Sequence, residues 1–227
     1  MITALIHNNA TASVIIDSAR RLADKLDKEF DVLVLGETAD LATLSQTCES
    51  KEISFLFIQL TSNRSRDIKK YLHACRDLRI PYLFFKDAFS ALQLENVLVP
   101  VNFLIEEIEK AQFAAAFGRF CNAHINLLQA NDYGSKAATN AAKITSVFEK
   151  FGFKYSILKG QKDSFKIEYE ALQYAEHQHC GLIIISSSRE YGLDDVIFGP
   201  KELHLIKKTT VPLMLINPRG DLYVLCD

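Results

Sequence analysis

The chain has no block of one charge sign, no long apolar run and no closely paired cysteines. Lys and Arg total 26 against 28 Asp and Glu, a formal net charge of −2, with the two signs interspersed. The electrostatic footprint of a nucleic-acid binder, a basic face or run, is therefore missing. No apolar stretch approaches the ~20 residues that span a bilayer. The opening segment MITALIHNNATAS lacks the basic-then-apolar order of an export signal. Cys48, Cys75, Cys121, Cys180 and Cys226 are odd in number, widely spaced and never in a Cys-x-x-Cys pair. That excludes a secreted disulfide framework and the common zinc fingers. Reduced, mostly buried thiols in a cytoplasmic protein are the expectation.

Glycine motifs are missing as well. None of the nine glycines falls in a Gly-x4-Gly-Lys-Ser/Thr loop, a Gly-x-Gly-x-x-Gly fingerprint or a Gly-x-Ser-x-Gly elbow. The Ser-Gly-Gly-x-Asp-Ser loop of ATP pyrophosphatases is also absent. No catalytic residue can be named, and the chain reads as a non-enzyme.

What is present is alternation. Short apolar runs at Ile2–His7, Asp31–Leu35, Ile53–Leu60, Pro81–Phe85, Asn96–Val101, His124–Ala130, Tyr155–Leu158, Leu182–Ser186 and Pro212–Asn217 are separated by longer amphipathic segments. Most are apolar on consecutive residues, as in parallel strands buried on both faces. Helical stripes lie between them: Ala137, Ala138, Ala141, Ile144, Phe148 and Phe151 form one, and Ile167, Ala171, Leu172 and Ala175 another.

The pattern repeats internally. ITALIHN at Ile2–Asn8 matches NVLVPVN at Asn96–Asn102, and in each copy a helix and then a strand follow, DVLVLGE or INLLQAN. Later, ISFLFIQL with RIPYLFF echoes GLIIISSS with TVPLMLI. The predicted fold is α/β: two tandem open parallel-sheet, Rossmann-like domains with helices on both faces. The boundaries are 1–87 for a truncated first copy with one strand–helix step missing, 88–93 for a connector, and 94–218 for a complete second copy. A tail, 219–227, carries one more candidate strand at Leu222–Leu225, which could protect a sheet edge.

Ligands of open parallel sheets bind outside the carboxyl ends of the strands, where strand order reverses. That selects Asn8 and Asn102 after the first strands, and the loop Ser186-Ser187-Ser188-Arg189-Glu190-Tyr191-Gly192 that runs on to Gly199-Pro200. With LENVLVPVNF before it and GLIIISSSREYGLDDVIFGPKELHLIKKTTVPLMLINP around it, the second copy resembles the universal stress protein family. The resemblance implies a Rossmann-like fold, a stress-response role and, in the ATP-binding members, a Gly-x-x-Gly, nine-residue, Gly-Ser/Thr loop.

Matched to that loop, this chain departs at most positions. Ser186 and Arg189 stand for the first two glycines, Gly199 is kept, Pro200 replaces the hydroxyl residue, and Asn102 stands where an acidic residue is common. Side chains at Ser186 and Arg189 take up phosphate space and restrict φ, and Pro200 removes an N–H. Against this, three serine hydroxyls and the Arg189 charge could hold an anion differently. The site residues are therefore Asn102, Ser186, Ser187, Ser188, Arg189, Gly199 and Pro200, a degenerate nucleotide loop with no cofactor expected and ATP or AMP as the alternative.

The first copy's equivalent segment, Gln59 to Ser65, has no glycine and reads as structural. The resemblance implies a pseudo-dimer within one chain, joined through the final strands of the two copies near Pro81–Phe85 and Val211–Asn217. A homodimer is left open, and neither nucleic acid nor membrane is expected as a partner.

Other clusters carry less. His177 and His179 are two apart on a helix and point in different directions, so they do not share a metal ion. His204 reads as a surface residue, and Asp194–Asp195 as a solvated turn. The charged runs Glu106–Lys110 and Arg66–Lys70 read as outer helix faces. The expected function is stress response by binding or association, with nucleotide-dependent switching (or weak ATPase activity) and a pure interaction scaffold as alternatives.

Overall fold

The computed structural model describes residues 1–8, 11–188, 195 and 199–219. Arg189 and the tail segment Leu222–Leu225 lie outside the described residues. The first stretch of chain holds β1 (Ile2–Ile6), α1 (Ser13–Leu26), β2 (Phe30–Val34), α2 (Leu44–Ser50), β3 (Phe55–Leu60), α3 (Ser65–Cys75) and β4 (Tyr82–Lys86). Next come β5 (Asn96–Val101), α4 (Lys110–Cys121), β6 (His124–Gln129), α5 (Lys136–Phe151), β7 (Tyr155–Lys159), α6 (Ile167–His177) and β8 (Leu182–Ser186). The last two elements are α7 (Lys201–Lys208) and β9 (Leu213–Ile216). The architecture is α/β, a mostly parallel arrangement of strands with helices on both faces.

Contacts gather the chain into two compact units, 1–92 with 188–217, and 93–187 with 218–227. This departs from the sequence boundary that kept 94–218 together. The last helix and strand of the second copy group with the first unit. The reason lies at β4, whose edge would otherwise be open. There β9 pairs antiparallel, with Tyr82 opposite Leu215 and Phe84 opposite Leu213. An unpaired strand edge leaves backbone donors and acceptors unsatisfied, and β9 removes that cost.

In the first unit the strands run β2-β1-β3-β4-β9, and the order reverses between β1 and β3. In the second they run β8-β5-β6-β7, and the reversal lies between β5 and β8. Burial follows position. All residues of β1, β3, β8 and β9 are buried, which explains their consecutive apolar residues. The outer strand β7 has no second strand neighbour among the described residues and leaves Ile157 exposed.

Helix faces follow the 3.6-residue period with one correction. On α5 the buried stripe is Ala137, Asn140, Ala141, Ile144, Thr145 and Phe148, whereas Ala138 and Phe151 are exposed. Ala138 lies one position past Ala137, about 100° round the helix, and so faces solvent. On α6 all four residues of the expected stripe are buried. Close backbone approach explains one glycine: a Cβ on Gly181 would stand 1.9 Å from the Gln93 carbonyl oxygen. The connector is held too, since the Leu92 N–H donates to Ser18 Oγ on α1 at 3.1 Å.

Candidate functional site

Asn102 follows β5 at the reversal point of the second unit and is buried. Its polar groups are spent on its own surroundings. The backbone N–H donates to Glu107 Oε2 at 3.0 Å, and Oδ1 accepts from the Leu104 N–H at 2.8 Å. The carbonyl accepts from Asn140 Nδ2 at 3.0 Å. Glu107 lies on a 3-10 turn, Ile105–Glu109, and the same Oε2 accepts from Lys110 Nζ at 2.8 Å. Lys110 Nζ also donates to the Pro100 carbonyl at 2.7 Å. Glu107 and Lys110 are both 0% exposed. The run Glu106–Lys110 is thus buried, and its reading as an outer helix face is corrected. Three residues apart, the two opposite charges neutralise each other, which lets this polar segment enter the interior.

The neighbouring loops are stitched in the same way. Asp132, after β6, accepts from the Ser164 N–H at 2.8 Å and from its hydroxyl. Ser164 Oγ in turn accepts from the Phe103 N–H at 2.9 Å. After β7, the Glu170 carboxylate accepts from the N–H groups of Gln161 and Lys162, at 2.9 and 2.8 Å. In these loops backbone N–H donors are taken by carboxylates of the chain. Ser186 and Ser187 are buried at the end of β8 and do not form a solvated polar loop.

Ser188, Gly199 and Pro200 of the sequence-selected loop fall in the first unit. Ser188 donates its N–H and its hydroxyl to Glu202 Oε1, at 2.6 and 2.8 Å. Glu202 lies in the first turn of α7 and is buried. Gly199 has φ +87°, and a Cβ there would meet Leu203 Cδ2 at 2.4 Å and Lys69 Cε at 3.0 Å. Its N–H donates to the Asp195 carbonyl at 2.9 Å. This left-handed backbone explains the retained glycine without a phosphate. Pro200 is the N-cap of α7. Of the predicted site residues, Asn102, Ser186 and Ser187 fall in one unit and Ser188, Gly199 and Pro200 in the other.

The first unit's own reversal point is open. A cavity of about 260 Å³ lies outside the carboxyl ends of β1, β2 and β3. Leu35, Leu41 and Leu60 contribute apolar surface, while His7, Thr61, Ser62 and three residues of α3, Asp67, Lys70 and Tyr71, contribute polar groups. His7 Nε2 and the Tyr71 hydroxyl are 2.5 Å apart. Burial, then Cys75 and Asp67, push the Tyr71 phenol up to about 12, so it keeps its proton at neutral pH. Beneath them the buried Gln59 accepts from the His7 N–H at 2.9 Å and donates to Asp87 Oδ1 at 2.8 Å.

No protein-family model matches the chain in sequence, and no curated protein does. Solved structures do match. A universal stress protein from Archaeoglobus fulgidus DSM 4304 is similar with a TM-score of 0.63 and 16% identity, over 91% of this chain and 80% of that one. The fold is that of the universal stress proteins. A functionally unknown Pseudomonas aeruginosa PAO1 protein is similar with a TM-score of 0.54 and 11% identity, over 95% of this chain and 82% of that one.

Within this universal stress fold, sequence reasoning missed Glu107, Lys110 and Glu202 in the second copy, and His7 and Tyr71 in the first. The carboxylates give no local signal, because each reads as an ordinary surface charge until its partner is known. His7 could have been found, since it directly follows the first strand of the universal stress fold, as Asn102 follows its counterpart. Among the described residues, no group of three or more His, Cys, Asp or Glu could hold a metal ion. His177 ends α6 and His179 follows it at φ +51°, while His204 is half-buried rather than exposed. No helix among the described residues is long and apolar enough to cross a membrane.

Proposed function

We propose that this protein acts in stress response by binding or association rather than by catalysis, and that its ATP-type loop is closed from within. The observation that carries this reading is the pair of bonds from Ser188 to Glu202, at 2.6 and 2.8 Å. A buried carboxylate at the start of α7 takes the donors a phosphate would need. It also repels a second anion from the same helix end. In the second unit the Glu107 carboxylate, which accepts from the Asn102 N–H, supports the same reading for the position after β5.

On this reading the protein is cytoplasmic, needs no cofactor and contacts neither nucleic acid nor membrane. The antiparallel pairing of β4 with β9 supports an internal dimer of the two sequence repeats, joined through their final strands. The alternative, ATP- or AMP-dependent switching through this loop, requires Glu202 to leave its place.

Mass spectrometry of small molecules released from gently purified protein tests the proposal, together with thermal unfolding in millimolar ATP. No nucleotide should be released and the melting temperature should not move. Co-purified ATP, ADP or AMP, or a melting temperature raised by ATP, would overturn it.

A further inference from the structure

We propose that the first unit binds a small organic anion, a carboxylate or phosphate monoester on a short apolar body, in the cavity between β1, β3 and α3. This site lies outside the degenerate loop and does not depend on that loop being closed.

Size sets the first limit. A cavity of about 260 Å³ falls just below the ~300–1,000 Å³ of ordinary ligand pockets. A single ring or a short chain with one head group fits such a space.

The lining sets the orientation. Leu35, Leu41 and Leu60 offer an apolar wall, against which hydrocarbon gains about 25 cal/mol per Å² removed from water. Opposite them stand the Tyr71 hydroxyl and His7, locked together at 2.5 Å. The His7 backbone is held by buried Gln59, so this polar end is formed before any ligand arrives.

Charge sets the sign. Lys70 and Asp67 are the charged residues of the lining, and Arg64, Arg66 and Lys69 lie in the same segment of the chain. Lys70 lines the cavity, is exposed, and has no ion pair among the described residues. An anionic head on the Lys70 side and an apolar body on the leucine side satisfy all of these features together.

The test is isothermal titration of the full chain with benzoate, hexanoate and phenyl phosphate, alongside neutral benzyl alcohol, cationic benzylamine, and AMP. At least one small anion should bind, with benzyl alcohol weaker by roughly tenfold, about 1.4 kcal/mol. Lys70→Met should cost a similar factor. Thr61→Phe, at an exposed rim position, should abolish binding while leaving the melting temperature unchanged. Benzoate against phenyl phosphate distinguishes a carboxylate ligand from a phosphate one.

The proposal is overturned if no small anion binds, if the neutral or cationic compound binds as well, or if binding survives Thr61→Phe. AMP binding more tightly than every small anion would overturn it too. By contrast, ATP binding that persists in Thr61→Phe counts against the closed loop and leaves this cavity untouched.

Discussion

Ser188 gives both of its donors to one oxygen of Glu202, the backbone N–H at 2.6 Å and the hydroxyl at 2.8 Å. A buried carboxylate in the first turn of α7 thereby accepts both donors of the residue two places after β8. Removing that carboxylate leaves Ser188 without its acceptor in a part-buried setting. Glu202→Ala should therefore lose about 1–3 kcal/mol of stability, and Glu202→Gln, which keeps an accepting oxygen, should lose less. Urea unfolding of the two variants gives the order directly.

The Glu107–Lys110 pair, 2.8 Å apart and fully buried, is a different case. Breaking it from one side strands the other charge in the interior. Lys110→Met should cost about 3–5 kcal/mol, and the double variant Glu107→Leu/Lys110→Met should recover much of that loss. A double-mutant cycle in urea measures the coupling. Equal losses in the single and double variants would mean that packing, not charge, dominates here.

Asn217, just after β9, closes the far end of α3. Its Nδ2 donates to the carbonyls of Cys75, Arg76 and Leu78 at 2.7, 3.0 and 2.8 Å. Its Oδ1 accepts from the Tyr82 hydroxyl at 2.9 Å. Asn217→Ala should lose about 1–3 kcal/mol by unpairing these carbonyls. Asn217→Asp should lose more, because a carboxylate faces acceptors it cannot bond. Chemical denaturation with both variants tests the ranking.

The thiols of Cys48 and Cys180 are each raised from 9.0 to about 11, by burial first, with Glu49 adding to the effect at Cys48. A group with a raised folded pKa holds its proton more tightly when folded than when unfolded. The stability it contributes is complete below pH 9.0 and is lost as the pH climbs through about 11. The urea midpoint should therefore fall across that window. In Cys48→Ser/Cys180→Ser the fall should be shallower, measured as the difference between the two pH profiles.

Strand placement was readable because apolar runs and amphipathic spacing are local properties. Leu182–Ser186 and Asn96–Val101 match β8 and β5 at both ends, while Pro81 and Pro212 each stand one residue before their strands, β4 and β9. Proline lacks the N–H that a paired strand uses, which accounts for the offset. The candidate site was harder to read. Gly199 was selected as a remnant of phosphate binding, and its +87° φ and the closeness of Leu203 give it a backbone reason that the sequence does not show. Nothing in the spacing of Glu107, Lys110 or Glu202 reveals that each finds a buried partner.

By itself, then, the sequence determined the alternation of strands and helices, the internal repeat and the residues that end the first strand of each copy. These follow from hydrophobic periodicity and chain order, which act over a few residues at a time. Tertiary structure alone decided which backbone donors are taken up within the chain and where the first unit leaves a cavity. Carboxylates fold onto the backbone donors of the second copy, whereas β1, β3 and α3 leave a cavity beside Tyr71 and His7. Whether a donor faces a ligand or its own chain depends on partners distant in sequence. Only the packed fold brings those partners within hydrogen-bonding reach.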